Sequence, residues 1–404
     1  MEEVRLRSLF LLWFGAAISI AEIVTGTLMA PLGFGRGILA IIIGHVIGCF
    51  GFLLPAGYIS ARYQSTAIKV TQLTFGKQGV QLFSLLNVLQ LLGWTAVMIV
   101  NAQLAMNVLT QSFFHWQSKL LMSGIVAGLI ILWLLLRHDW LFKVNNWVVL
   151  LLTLAMIVFV VSLLQKAPMT HAPQASTLSF SNAVELNVTM ALSWLPVIGD
   201  YTKQTRHPIQ TSWCSVLGYF VGSGAMFVVG LSIVLWTGQT DISQALAQSQ
   251  LGLIALLIVV FSTVTTTFMD AYSAATNLQN LNAKVPVNAA AIGITIVGFF
   301  IAIGISLQYY ENFLYAIGAA FTPLFAIVFV SVFVIKQRLA LVWNFAWWLL
   351  GIIAYYGLQQ LNLIFGPTFW LLIAESLAVY LTAKLSAINN QKVGPKIRFN
   401  CCKP

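Results

Sequence analysis

Apolar residues along this chain fall in long continuous runs, with polar residues confined to short stretches between them. About twelve such runs recur, most of them roughly 18 to 22 residues long. That is enough to cross a hydrocarbon core of about 30 Å at 1.5 Å rise per residue. The pattern predicts spans near residues 8–29, 37–58, 80–104, 119–136, 145–164, 181–199, 211–236, 251–277, 288–306, 312–335, 341–361 and 365–385. In lipid every backbone polar group must be satisfied within the protein, which leaves helices or closed barrels, and runs without a period of two select helices. The expected fold class is therefore an all-α polytopic membrane protein.

Composition supports this. Hydrophobic residues make up 59% of the 404 positions and charged residues 7%, against roughly 25% charged in a soluble domain. A net charge of +10 suggests an anionic partner such as nucleic acid until the basic residues are placed. With the N-terminus inside, 17 of the 20 lysines and arginines fall on the inner side and only Arg36, Lys119 and Lys166 on the outer. That is the positive-inside bias of an inner (plasma) membrane protein with both termini cytoplasmic and with the bilayer, not nucleic acid, as partner. The first run reads as a signal anchor, since it is long and no polar domain follows it. Cys49 and Cys214 lie in or beside spans, and Cys401 and Cys402 lie in the inner tail, which is no disulfide framework.

The longest polar stretches, near 165–180, 237–250, 59–79 and 386–404, leave no room for an extramembrane enzyme domain. There is neither a phosphate-binding loop nor a dinucleotide fingerprint, and no span carries a repeated filter-like signature. These absences argue against ATP-driven transport within the chain and disfavour a channel. Twelve spans permit a five-plus-five inverted repeat over residues 8–164 and 181–335, with two additional spans at 341–385 and a tail at 386–404, all within one transporter domain, 1–404. The candidate first span of each half carries an interruption: Gly15 to Gly26 with Ser19 and Glu22 in one, and Ser193-Trp194-Leu195-Pro196 in the other. Such interruptions point to discontinuous helices around a midplane site.

Intramembrane carboxylates are costly, about 2.5–3.5 kcal/mol or more at the bilayer centre, and are seldom kept without use. Glu22 shares a helix face with Ser19 and Gly26, and Asp270 lies on a stripe with Thr263, Thr266, Ser273 and Asn277. The plainer alternative for each is a protonated side chain bonded to a neighbouring helix. Glu185 sits nearer the outer end of its span, where interface water is expected to reach it. Thr265-Thr266-Thr267, with carbonyls freed where span one unwinds around Ala17 and Ile20, offers hard oxygen ligands to a small cation. Their alternative is bonding back to carbonyls one turn earlier. Trp94, on one face with Asn101, offers a flat indole for a heteroaromatic ring. Trp13, Trp116, Trp140 and Trp236 are expected to anchor the interfaces. Gly44, Gly48 and Gly51 read as close helix packing, and the adjacent His45 as a packing hydrogen bond rather than a proton relay.

Several strings resemble the nucleobase:cation symporter-1 family. Ser193-Trp194-Leu195-Pro196-Val197-Ile198-Gly199-Asp200-Tyr201-Thr202-Lys203 is similar to the end of that family's sixth span and its following loop, Thr74-Phe75-Gly76-Lys77-Gln78-Gly79 to its Phe-Gly loop, and Gly93-Trp94 to its span-three tryptophan. With span one, the likeness is nearest to the CytX-type branch related to cytosine permease. The resemblance implies a LeuT-like fold and uptake of nucleobases, hydantoins or pyrimidine precursors driven by sodium or protons, with no other cofactor. It implies that Trp94 stacks on the ring, that Asp270 takes the place of a substrate-binding amide, and that Thr265 and Thr266 with the carbonyls of Ala17 and Ile20 form the cation site. Met98 stands where the family has a glutamine one turn past the tryptophan, no aromatic residue precedes Trp194, and Glu22 has no counterpart in cytosine permease.

A carboxylate at position 270 offers acceptors only, so it suits a ring whose exocyclic amine and protonatable nitrogen both donate. That describes 4-amino-5-hydroxymethyl-2-methylpyrimidine, a thiamine precursor, whose hydroxymethyl group would be met by Glu22 or Asn101. The expectation is a secondary active symporter importing this class of small molecule. The alternatives are a permease for cytosine or another nucleobase, a cation or proton channel, and a membrane-embedded enzyme using Glu22 and Asp270 as acid and base. No nucleophile or metal-ligand cluster supports the last of these.

Overall fold

The structure, a computed structural model, describes residues 5–135, 178–239 and 252–388, with a few single positions beyond them. Helices carry these residues, and among the described residues there is no sheet. Seven helical segments among the described residues are both long and apolar enough to cross a membrane. The expected span at 145–164 lies mostly outside the described residues, and Trp140, Cys401 and Cys402 lie wholly outside them.

Eleven of the expected spans are recognisable. Span one is split into Leu6–Ala17 and Ile20–Thr27, and span six into Phe180–Leu192 and Leu195–Thr202. Span two runs through Gly33–Val46, a π-helical stretch Ile47–Leu53 and Leu54–Tyr63. Spans three, four, seven, eight and nine are Gln72–Phe114, Lys119–Leu135, Pro208–Thr237, Gly252–Leu281 and Val287–Gly304. Span ten is Tyr310–Phe329 continued by a π-helical stretch Val330–Ile335, and Leu341–Gln360 and Gly366–Ile388 complete the set.

The breaks have local causes. Ser19 is extended, at φ −136° and ψ 158°, and its hydroxyl caps the second half of span one by accepting from the Glu22 N–H at 3.5 Å. In span six the helix stops at Ser193–Trp194 and restarts with Pro196 in its first turn, where a missing N–H costs nothing. Gly76, at φ 66°, kinks the entry to span three, a backbone that a side chain would strain.

Span one packs along span seven, span six along span two, and span three along span eight. Under a five-plus-five repeat the first two pairs are counterparts and the third pairs counterpart spans with each other, so the contacts fit the inverted repeat. Small residues allow the close approaches. A Cβ on Gly26 would strike the Phe227 carbonyl of span seven, and one on Gly230 the Ile23 carbonyl of span one. Gly44 and Gly48 meet Asn187 and Ala191 of span six, but Gly51 faces open space and is no packing glycine.

Two further expectations are corrected. Trp13 is no interface anchor: it is fully buried, edge-on to Trp194, Tyr201 and Tyr219 at ring-centre distances of 5.5, 5.8 and 6.5 Å. Glu185 is out of reach of interface water. It is fully buried and accepts from Tyr355 Oη at 2.7 Å, the Thr368 hydroxyl at 2.5 Å and the Thr368 N–H at 3.1 Å, which ties span six to spans eleven and twelve.

Candidate functional site

The two breaks face one cavity. Its wall is formed by Ser19, Ala21 and Glu22 of span one, Leu91, Trp94 and Met98 of span three, Met190, Ser193 and Trp194 of span six, and Thr266 and Asp270 of span eight. As it stands its free volume is about 20 Å³, room for about one water molecule. Of the residues singled out from the sequence, Glu22, Trp94, Thr266 and Asp270 come together here. Asn101 is buried on span three with its Nδ2 unpartnered, and it lies outside the lining. Thr265 is buried beside Thr266 but is not part of the wall. Ala17 and Ile20 flank the span-one break: the Ala17 carbonyl accepts from the Ser19 N–H at 3.0 Å, and Ile20 opens the second helical half. Back-bonding holds for Thr267, whose hydroxyl donates to the Thr263 carbonyl at 2.6 Å.

Two indoles wall the cavity. Trp94 is backed by Tyr310 at 6.1 Å and Phe313 at 5.4 Å, both edge-on, and Trp194 by Trp13 and Tyr219. An aromatic wall on span six thus exists in Trp194 itself, although the residue just before it is Ser193. Both carboxylates are buried, and among the described residues no lysine, arginine or histidine lines the space. The cavity therefore offers flat apolar faces and acceptors, the complement of a planar ring that donates hydrogen bonds.

Glu22 is held from outside the cavity. Oε1 accepts from Tyr219 Oη at 3.0 Å and Oε2 from Ser223 Oγ at 2.7 Å, both on span seven. Ser223 in turn meets His45 Nε2 of span two at 2.7 Å. Sequence reading missed Tyr219 and Ser223, and it missed Gln90, whose Nε2 donates at 2.6 Å to the Ser193 carbonyl freed at the span-six break. A polar vestibule of about 490 Å³ opens among Lys69, Asp200, Tyr201, Lys203, Tyr272, Ser273 and Asn277.

A helical bundle in which two broken spans meet at a buried, carboxylate-bearing cavity is the architecture of a secondary transporter. The sequence bears this out. Residues 3–347 match the family described as permease for cytosine/purines, uracil, thiamine, allantoin, and the chain belongs to that family. It is accordingly a multi-pass membrane transporter. Among solved structures it is similar to Mhp1, a nucleobase-cation-symport-1 family transporter, in a closed conformation with bromovinylhydantoin bound. The TM-score is 0.76 at 16% identity, over 97% of this chain and 94% of that one. The inward-facing conformation of Mhp1 gives the same TM-score and identity over 97% and 92%. A substrate-bound, outward-open Na+-coupled sialic acid symporter gives 0.67 at 11% identity, over 96% and 91%. At these identities the likeness is one of fold, and it establishes the expected LeuT-like architecture. Among curated proteins no relative matches the sequence.

Proposed function

We propose that the protein is a cation-coupled symporter importing a planar, donor-rich pyrimidine, with 4-amino-5-hydroxymethyl-2-methylpyrimidine as the preferred substrate. The observation that carries this reading is the cavity itself, where Trp94 and Trp194 supply faces for a ring while Asp270 and Glu22 supply acceptors with no basic residue among them. Asp270 pairs with the amine edge of the ring and Trp94 stacks on its face. Burial strengthens both contacts, since a charge-assisted pair gains where water is excluded. The vestibule that Lys69 and Lys203 line is the cytoplasmic exit, an orientation supported by the positive-inside bias. Access alternates by rocking the bundle of spans one, two, six and seven against spans three and eight.

A permease for cytosine or another nucleobase is the second reading, supported by the family description. A thermal-shift screen of purified protein against pyrimidines and purines, with and without sodium, separates the two, because a ligand that binds only the native state raises its apparent stability. The aminopyrimidine should give the largest shift. A larger shift with cytosine or uracil would favour the second reading.

A further inference from the structure

We propose that Glu22, Ser223 and His45 form a relay holding one exchangeable proton in the cavity wall, and that this proton is the coupling ion. The inference rests on reading the cavity as the transport site, and it locates coupling in side chains of spans one, seven and two.

Counting hydrogens gives the argument. His45 Nδ1 lies 2.9 Å from the Ile41 carbonyl, which can only accept, so Nδ1 carries a hydrogen. His45 Nε2 and Glu22 Oε2 each lie 2.7 Å from Ser223 Oγ. Two short contacts at one hydroxyl need two hydrogens, and serine owns one. The second sits on Glu22, in which case Ser223 donates to Nε2, or on Nε2, in which case Ser223 donates to Glu22. With neither, one contact sets lone pair against lone pair in a buried site. With both, the serine hydrogen is left only Tyr219 Oη as an acceptor, beside a buried cation. The chain of contacts therefore holds one proton at either end. In passing between the ends, the O–H bond of Glu22 breaks as its proton moves to Ser223 Oγ, and the serine's own hydrogen forms the N–H bond at His45 Nε2. A neutral pair becomes a carboxylate and an imidazolium, with nothing oxidised or reduced.

The surroundings suit a mobile proton. Tyr219 donates to the other oxygen of Glu22, while Cys49 of span two and Tyr310 of span ten lie within its field and Asp270 faces the same cavity from span eight. Among the described residues, no lysine or arginine pairs with Glu22. Around His45 stand Asn187 of span six and the edges of Phe220 and Phe227 of span seven, at ring-centre distances of 6.2 and 4.9 Å. Because Glu22 lines the cavity, the proton's position decides whether substrate meets a neutral carboxyl or a carboxylate. All three residues sit on the rocking bundle, so the relay travels as one unit, and rocking changes only what Glu22 faces across the cavity on spans three and eight. Substrate binding and proton binding are thereby linked.

Infrared difference spectroscopy on the full chain, stepped in pH without substrate, tests the relay independently of substrate identity. A buried carboxylic-acid carbonyl band should appear that is absent in Glu22→Gln. Its midpoint should move by at least about one pH unit, tenfold in proton concentration, in His45→Gln and in Ser223→Ala, the smaller change. Ser223→Thr should restore it. In sodium-free proteoliposomes an acid-outside gradient should drive accumulation, and the ratio of that accumulation to substrate counterflow should fall at least about tenfold in Ser223→Ala. A Glu22 band whose midpoint ignores both His45 and Ser223 substitutions, or pH-driven accumulation that survives them, overturns the proposal. A normal band with no pyrimidine uptake overturns the substrate instead.

Discussion

Gln90 of span three donates through Nε2 to the carbonyl oxygen of Ser193 at 2.6 Å, bridging the scaffold to the break in span six. Breaking a membrane helix strands carbonyls that lipid cannot satisfy, and a side chain from the neighbouring span takes up this one. Gln90 lies one turn before Trp94, so the residue that fixes the break and the indole that faces it share one stripe of span three. Replacing Gln90 by leucine keeps the volume and removes the donor. The expected cost is about 1–3 kcal/mol, that of a buried carbonyl left unsatisfied, and it is read as a lower unfolding midpoint in detergent. An unchanged midpoint would mean that water reaches the break.

Close contact between spans one and seven makes a second prediction. Gly230→Ala drives a methyl into the Ile23 carbonyl and should destabilise the protein by at least about 1–3 kcal/mol. Gly224→Ala, on the same helix but facing open space, should be neutral or slightly stabilising. Thermal unfolding of the pair in one detergent separates packing from propensity.

Tyr355→Phe should lower stability by about 0.5–1.5 kcal/mol, the net worth of its hydrogen bond to Glu185. Ligand affinity should be untouched, because this cluster ties span six to spans eleven and twelve away from the cavity wall. A change in affinity measured by titration calorimetry would show that the clasp reaches the site.

Both helix breaks were legible in the sequence because their causes are local: the Ser19 cap and the Ser193-to-Pro196 string speak for themselves. Glu22 and Asp270 stood out because a carboxylate within an apolar run is rare. The relay was not legible, since Ser223 lies 201 residues from Glu22 and 178 from His45, and a lone serine in an apolar span carries no signal of its own. Trp13 was misplaced for a related reason. Nearness to a span end suggests an interface, whereas the kinked Tyr201 end of span six closes over it. Glu185 likewise owes its burial to Tyr355 and Thr368, in spans that the sequence does not link to it.

Orientation follows from charge and can be checked by labelling. With the native cysteines replaced, a cysteine at exposed position 361, between spans eleven and twelve, should react with an impermeant maleimide from outside intact cells. One at position 204, in the Lys203 vestibule, should react only after permeabilisation. Labelling of both from the same face would refute the twelve-span topology.

The central claim is that Asp270 and Trp94 hold a donor-rich pyrimidine between the broken spans, and equilibrium binding of 4-amino-5-hydroxymethyl-2-methylpyrimidine tests it most directly. Asp270→Asn should lose at least about 1.5 kcal/mol, the scale of one charged hydrogen bond, or roughly tenfold in Kd. Trp94→Ala should weaken all ring ligands alike, and wild-type affinity should fade at high pH if the protonated ring is the bound form. Equal affinity of Asp270→Asn for the aminopyrimidine, or tighter wild-type binding of cytosine or uracil, would contradict the account.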